Sequence, residues 1–129
     1  MKEKLSILLV EDNLLNQRVV TFSLRKFEHQ VTIANNGKEA LDLFKRDRFD
    51  VILMDIMMPV MDGLDATVHI REYEQANNIE KPTPIIALTA NTMDNDREKC
   101  LSYGMNEFMA KPFDMDRLTQ IFKELHISD

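Results

Sequence analysis

The chain has 129 residues, with 16 Lys and Arg against 22 Asp and Glu, a formal charge of −6 at pH 7. That length suits one domain with a single core and is too short for two domains and a linker, and the acidic balance is the reverse of what binding to nucleic-acid phosphates asks for. The single cysteine, Cys100, excludes an internal disulfide and a multi-cysteine zinc site, and no apolar run nears the roughly 18 residues of a membrane span.

Met1-Lys2-Glu3-Lys4 leads into a strand-like run, not into a signal peptide's apolar stretch, so the reducing cytoplasm is the expected compartment. Leu5 to Val10 is nearly continuous in apolar residues, the pattern of a strand buried on both faces. Asn13 to Phe27 follows with helical spacing, in one stripe of Leu15, Val19 and Phe22 and another of Val20, Leu24 and Phe27. Val31 to Ala34 predicts a weaker second strand, and Asn35-Asn36-Gly37 turns into a helix bearing Ala40, Leu41 and Phe44. Val51 to Met54 is the third strand. Pro59 and Gly63 punctuate a loop before a helix carrying Leu64, Val68 and Tyr73. After a polar connection from Asn77 to Pro84, Ile85 to Leu88 predicts the fourth strand. A polar helix over roughly Asp94 to Tyr103 stops at Gly104, a C-cap residue. Phe108-Met109-Ala110 belongs to a fifth strand, and Leu118, Ile121, Phe122 and Leu125 mark the last helix. Five strand–helix units without repeat or linker predict an α/β fold, a parallel sheet covered by helices on both faces, in one domain over residues 1–129.

The chemistry sits at the strand ends. The first run ends in Glu11-Asp12, the third in Asp55, the fourth in Thr89 and the fifth in Lys111-Pro112, while the second ends in Asn35 and offers little, as an edge strand would. Sites in open α/β sheets form beyond the carboxyl ends of the strands. Three carboxylates, a hydroxyl and an ammonium therefore meet at one rim. Two like charges about 4 Å apart repel by roughly 4 kcal/mol at an effective dielectric near 20, so a proton or a cation must relieve them. Oxygen ligands without a Cys or His cluster favour a hard divalent ion, and Mg²⁺ completes its shell with waters and a phosphoryl oxygen.

Taken singly, each residue has a plainer reading. Glu11-Asp12-Asn13 is a helix cap, Asp55 and Thr89 are turn residues, and Lys111 is a solvated lysine. Their joint placement at the ends of four strands argues against that. His29, His69 and His126 are scattered away from the rim and are not expected as ligands; Cys100 reads as a small packing residue. Met58 and Met61 read equally as packing or partner-docking residues. There is no G-x-x-x-x-G-K-[ST] loop and no G-x-G-x-x-G, and Glu11-Asp12 after the first strand would repel a flavin phosphate. A dehalogenase-type phosphatase carries a second Asp two residues after its nucleophile, where this chain has Met57.

The stretch Asp55-Ile56-Met57-Met58-Pro59-Val60-Met61-Asp62-Gly63, with Glu11-Asp12 before it and Leu88-Thr89-Ala90 and Lys111-Pro112-Phe113 after it, resembles the receiver domain of two-component response regulators over essentially the whole chain. Asn91 to Pro112 also resembles the receivers of hybrid histidine kinases and phosphorelays. The resemblance implies a flavodoxin-like, doubly wound, five-stranded parallel sheet of order 2-1-3-4-5 with five helices. It implies that Asp55 takes a phosphoryl group from a histidine kinase or histidine phosphotransfer protein. Glu11, Asp12, Asp55 and the Met57 carbonyl would hold Mg²⁺ (or Mn²⁺), Glu11 through water. Lys111 would pair with a phosphoryl oxygen, and Thr89 would bond another once Asp55 is modified. Phe108 stands at the aromatic switch position, and Lys111-Pro112 would be joined by a cis bond.

The function so implied is a phosphorylation-driven switch, monomeric or weakly dimeric. It would signal to an effector on the face of the fourth helix, fifth strand and fifth helix, and would be a signalling domain, not a turnover enzyme. Neither nucleic acid nor membrane is an expected direct partner. Glu11 stands where many members have Asp. Met57 is expected to exclude attacking water and lengthen the phosphorylated lifetime, and Asn91 to modulate that rate. The alternatives are a relay intermediate or excised hybrid-kinase receiver that passes the group on, a phosphorylation-independent interaction module, and a phosphatase.

Overall fold

The computed structural model describes residues 4–56, 58, 60–89, 94–111 and 113–127. Strands and helices alternate: β1 (Ser6–Val10), α1 (Leu14–Lys26), β2 (Gln30–Ala34), α2 (Gly37–Arg46), β3 (Val51–Asp55), α3 (Gly63–Ala76), β4 (Ile85–Thr89), α4 (Asp94–Ser102), β5 (Glu107–Ala110) and α5 (Met115–Glu124). The sheet has five strands in the order β2-β1-β3-β4-β5, all pairs parallel. Pairing starts from β1, with Leu8 opposite Thr32 on one side and Ile52 on the other.

Alternation along each strand divides the core in two. Leu8, Val10, Ile52, Met54, Ile85 and Ala87 face Ala40 and Phe44 of α2, Ala66 and Ile70 of α3 and Cys100 of α4. Ile7, Leu9, Val51, Leu53, Ile86 and Leu88 face Val20 and Leu24 of α1 and Leu118, Ile121 and Phe122 of α5. Central strands buried on both faces explain why β1, β3 and β4 read as unbroken apolar runs.

Among the described residues, four helices start with a side-chain cap that accepts from a backbone N–H. These are Asn13 for α1, Asn36 for α2, Asp62 for α3 and Asp114 for α5. Each cap is worth roughly 1 kcal/mol and fixes where a helix leaves the rim. Gly104 ends the α4 turn with φ at 108°, a conformation that suits glycine.

Two helix faces differ from the expected ones. The buried face of α1 is Gln17, Val20, Thr21 and Leu24, so Leu15, Val19 and Phe22 stand in solvent, and so does Phe27. In α3 the buried residues are Gly63, Ala66, Thr67, Ile70 and Glu74, and Val68 is exposed. In both helices polar side chains occupy part of the core face, so an apolar stripe alone misjudges the rotation of the helix.

Candidate functional site

β1 runs on past Val10, where the Glu11 N–H donates to the Ala34 carbonyl at 3.0 Å. Glu11 is buried, and its Oε2 accepts the Asn13 N–H at 3.1 Å. Asp12, the next residue, is exposed. Asp55 is the last residue of β3 and Thr89 the last of β4, and both are buried. The Lys111 N–H donates to the Thr89 carbonyl at 2.7 Å, carrying the chain out of β5 beside β4. The Lys111 ammonium then reaches back to Asp55 Oδ2 at 3.1 Å and Glu11 Oε1 at 3.4 Å.

These residues line a cleft of about 230 Å³. Carboxylate oxygens of Glu11, Asp12 and Asp55 lie within 4.8 Å of one another. Burial raises the Glu11 pKa above the ordinary carboxylate value, and the neighbouring Asp55 raises it further, against the Asn13 N–H and Lys111. Burial alone would lower the Lys111 pKa, but Asp55 and Glu11 outweigh it and the ammonium is held above its ordinary value. One ammonium among three carboxylates leaves negative charge over. With hard oxygen donors on buried and open sides of one cleft, the acidic cluster fits a metal ion.

Gly63 matters to this geometry. A Cβ there would run into the Asp55 carbonyl and the Ile56 backbone, so only glycine lets α3 begin so close beneath the end of β3.

Among the other expected residues, Phe108 is half-buried on β5, paired with Ala87 and packed against the cluster around Leu8 and Ile52. Met58 and Met61 are partly buried and pack on the same cluster. Met57, Pro59, Asn91 and Pro112 fall outside the described residues, and with them the Met57 carbonyl, the Asn91 role and the Lys111–Pro112 bond. His29 is buried, and its Nδ1 accepts the Leu5 N–H at 3.0 Å. His69 and His126 are exposed.

Two features were missed from sequence. Leu14, Leu15, Val19 and Phe22 are 60%, 69%, 49% and 67% exposed on the helix that starts at the rim. An apolar patch of this kind is unusual on a surface without a partner. Gln17 is buried among the residues supporting Glu11; its signal was a polar residue on a helix face otherwise suited to the core.

Comparison with known proteins decides the family. The response regulator receiver domain family matches residues 7–123. The chain belongs to that family. It is a receiver domain 42% identical over 115 residues to hybrid signal transduction histidine kinase K of Dictyostelium discoideum, covering 87% of this chain and 10% of that kinase. The chain thus spans a small part of the curated relatives it matches. Among solved structures it is similar to the Saccharomyces cerevisiae Ssk1 receiver domain, crystallised with the histidine phosphotransfer signalling protein Ypd1. The TM-score is 0.89 at 33% identity, covering 96% of this chain and 90% of that one. It is also similar to the receiver domain of a Pseudomonas aeruginosa sensor histidine kinase, with a TM-score of 0.81 at 45% identity, over 94% and 96% of the two chains. That receiver domain has a magnesium ion coordinated in its active-site cleft. No helix among the described residues is long and apolar enough to cross a membrane.

Proposed function

We propose that residues 1–129 act as one receiver unit in which Asp55 accepts a phosphoryl group from a histidine on a partner. The observation that carries this reading is the Lys111 ammonium, 3.1 Å from Asp55 in a cleft that also holds two further carboxylates. An Asp55 oxygen attacks the phosphorus of the phosphohistidine. The N–P bond breaks, its electron pair stays on the imidazole, and an aspartyl phosphate remains. One phosphoryl group per chain is taken up, which is signalling and not turnover.

Phosphoryl transfer is mostly positioning and charge neutralisation. Lys111 meets the charge on one phosphoryl oxygen. Glu11, Asp12 and Asp55, with the Met57 carbonyl, would hold Mg²⁺ or Mn²⁺, which when bound neutralises charge on the phosphoryl oxygens. The magnesium in the similar Pseudomonas receiver domain supports the first of these ions.

The modified aspartate gains roughly −1.5 to −2 charge and strong acceptors. Thr89, at the end of β4, bonds one of those oxygens, and Phe108 moves into the space this leaves. Shifting a two-state equilibrium from 1:99 to 99:1 takes about 5.5 kcal/mol. Two or three new charge-assisted bonds of roughly 1.5–3 kcal/mol each supply it. An effector then reads the face formed by α4, β5 and α5.

The partner is a histidine kinase or a histidine phosphotransfer protein, seated on the exposed Leu14, Leu15, Val19 and Phe22 of α1 beside the cleft. The Ssk1 receiver domain crystallised with Ypd1 supports a phosphotransfer protein, and the hybrid-kinase relatives favour a relay in which Asp55 passes the group on. Intact mass after incubation with acetyl phosphate and Mg²⁺ tests the reading. One added phosphoryl group, absent in Asp55→Asn and with EDTA, is the expected result. No gain by the folded wild-type chain moves the reading to a phosphorylation-independent interaction module or to a receiver that takes the group only from its own kinase. If a phosphorylated histidine partner transfers nothing either, the reading is overturned in favour of the former.

A further inference from the structure

The buried amide of Gln17 has a use that core packing does not explain. Gln17 is 5% exposed, and its Nε2 donates both to the Glu11 backbone carbonyl and to Asn35 Oδ1, the latter at 2.8 Å. Asn35 is oriented in turn, because its backbone N–H and its Nδ2 both donate to Glu39 Oε1 at 3.1 Å. With Nδ2 committed to Glu39, Asn35 must present Oδ1 to Gln17, and Gln17 must then turn its NH₂ toward Glu11. The carbonyl it holds belongs to the peptide that joins Glu11 to Asp12. One side chain thereby fixes the plane from which two of the three clustered carboxylates project.

We propose that Gln17, oriented by Asn35 and Glu39, is a positioning residue for divalent-cation binding by Glu11, Asp12 and Asp55. The proposal rests on reading those three carboxylates as a cation site. Like charges push such a cluster apart when nothing neutralises it. A clamp on the shared peptide resists that spreading, so less reorganisation is left for the cation to drive. A leucine at position 17 would bury more apolar surface, whereas a buried amide is worth having only if its hydrogen bonds are made.

Mn²⁺ titration of the whole chain by calorimetry, with melting temperatures in EDTA and in Mg²⁺, separates positioning from packing. The Gln17→Leu variant is expected to weaken Mn²⁺ binding roughly 10- to 100-fold, the usual effect of losing a residue that supports a metal ligand. Its Mg²⁺-induced rise in melting temperature shrinks correspondingly, whatever its melting temperature in EDTA. Asn35→Ala, at an exposed residue outside the core, weakens binding several-fold and serves if Gln17→Leu does not fold. Glu39→Gln keeps an acceptor facing Asn35 and leaves the affinity near wild type. Wild-type affinity in both Gln17→Leu and Asn35→Ala, with binding lost in Asp12→Asn, overturns the positioning role and leaves the cation site standing. No Mn²⁺ binding by wild type overturns the cation site itself, and the positioning role with it.

Discussion

Lys111 Nζ lies 3.1 Å from Asp55 Oδ2 and 3.4 Å from Glu11 Oε1, so one ammonium is shared by carboxylates from the ends of two strands. Because the same charge also repels a metal ion, Lys111→Ala has two effects of opposite sign. Removing the ammonium tightens divalent-cation binding roughly 3- to 10-fold, by relieving repulsion in a low-dielectric cleft. It also slows phosphoryl uptake about 100-fold, the usual cost of losing a donor aimed at developing negative charge. Calorimetry and timed intact-mass measurements check the pair. Weaker cation binding in the variant would contradict the electrostatic argument.

The exposed stripe of α1 separates partner docking from chemistry. Leu15 and Phe22 are 69% and 67% exposed, so Leu15→Ala or Phe22→Ala changes folding stability by no more than roughly 0.5 kcal/mol. Uptake from acetyl phosphate stays at the wild-type rate, whereas transfer from a phosphorylated histidine phosphotransfer protein falls about 10-fold or more. Equal rates from both donors would remove α1 from the docking surface.

Much of this organisation was legible in the chain. β1, β3 and β4 could be read because strands buried on both faces allow almost nothing but apolar residues, and the strand ends named Glu11, Asp55, Thr89 and Lys111 in advance. The rotation of α1 and α3 was not legible, because Gln17, Thr21, Thr67 and Glu74 occupy core positions that a hydrophobic stripe assigns to Leu or Val. Glu74 is tolerated there because one oxygen accepts from Arg71 Nη1 of the same helix at 2.7 Å and the other from the Thr83 N–H at 2.8 Å, the latter in a loop brought against α3 only by folding. The Gln17–Asn35–Glu39 chain was hidden for the same reason: it joins residues of α1, the β2–α2 turn and α2.

His29 gives the fold an acid-side dependence. Burial lowers its pKa below the ordinary value of 6.5, so the folded chain binds its proton less readily than the unfolded one. Its contribution is fully present above the unfolded pKa and is lost as pH falls through and below about 6.5. Melting temperature therefore declines from about pH 7.5 to about pH 5.5. His29→Gln, which can still accept the Leu5 N–H but does not titrate, declines less over that range. Parallel curves for the two proteins would assign the loss to other groups.

Val60 is 81% exposed and holds φ at 71°, a left-handed conformation that a β-branched residue adopts only under strain. Asn accepts that conformation more readily. Val60→Asn is expected to raise stability by about 0.5–1 kcal/mol in urea unfolding. A loss of stability would show that the Val60 side chain contributes more than its backbone costs.

The central claim is that Asp55 carries the phosphoryl group. Borohydride reduces an acyl phosphate, so peptide mass mapping after acetyl phosphate, Mg²⁺ and borohydride reads the modified position directly. The account predicts homoserine in place of Asp55 in wild type, no conversion with EDTA, and none elsewhere in Asp55→Asn. Conversion at another carboxylate, or a phosphorylated chain whose residue 55 is still aspartate, would contradict it.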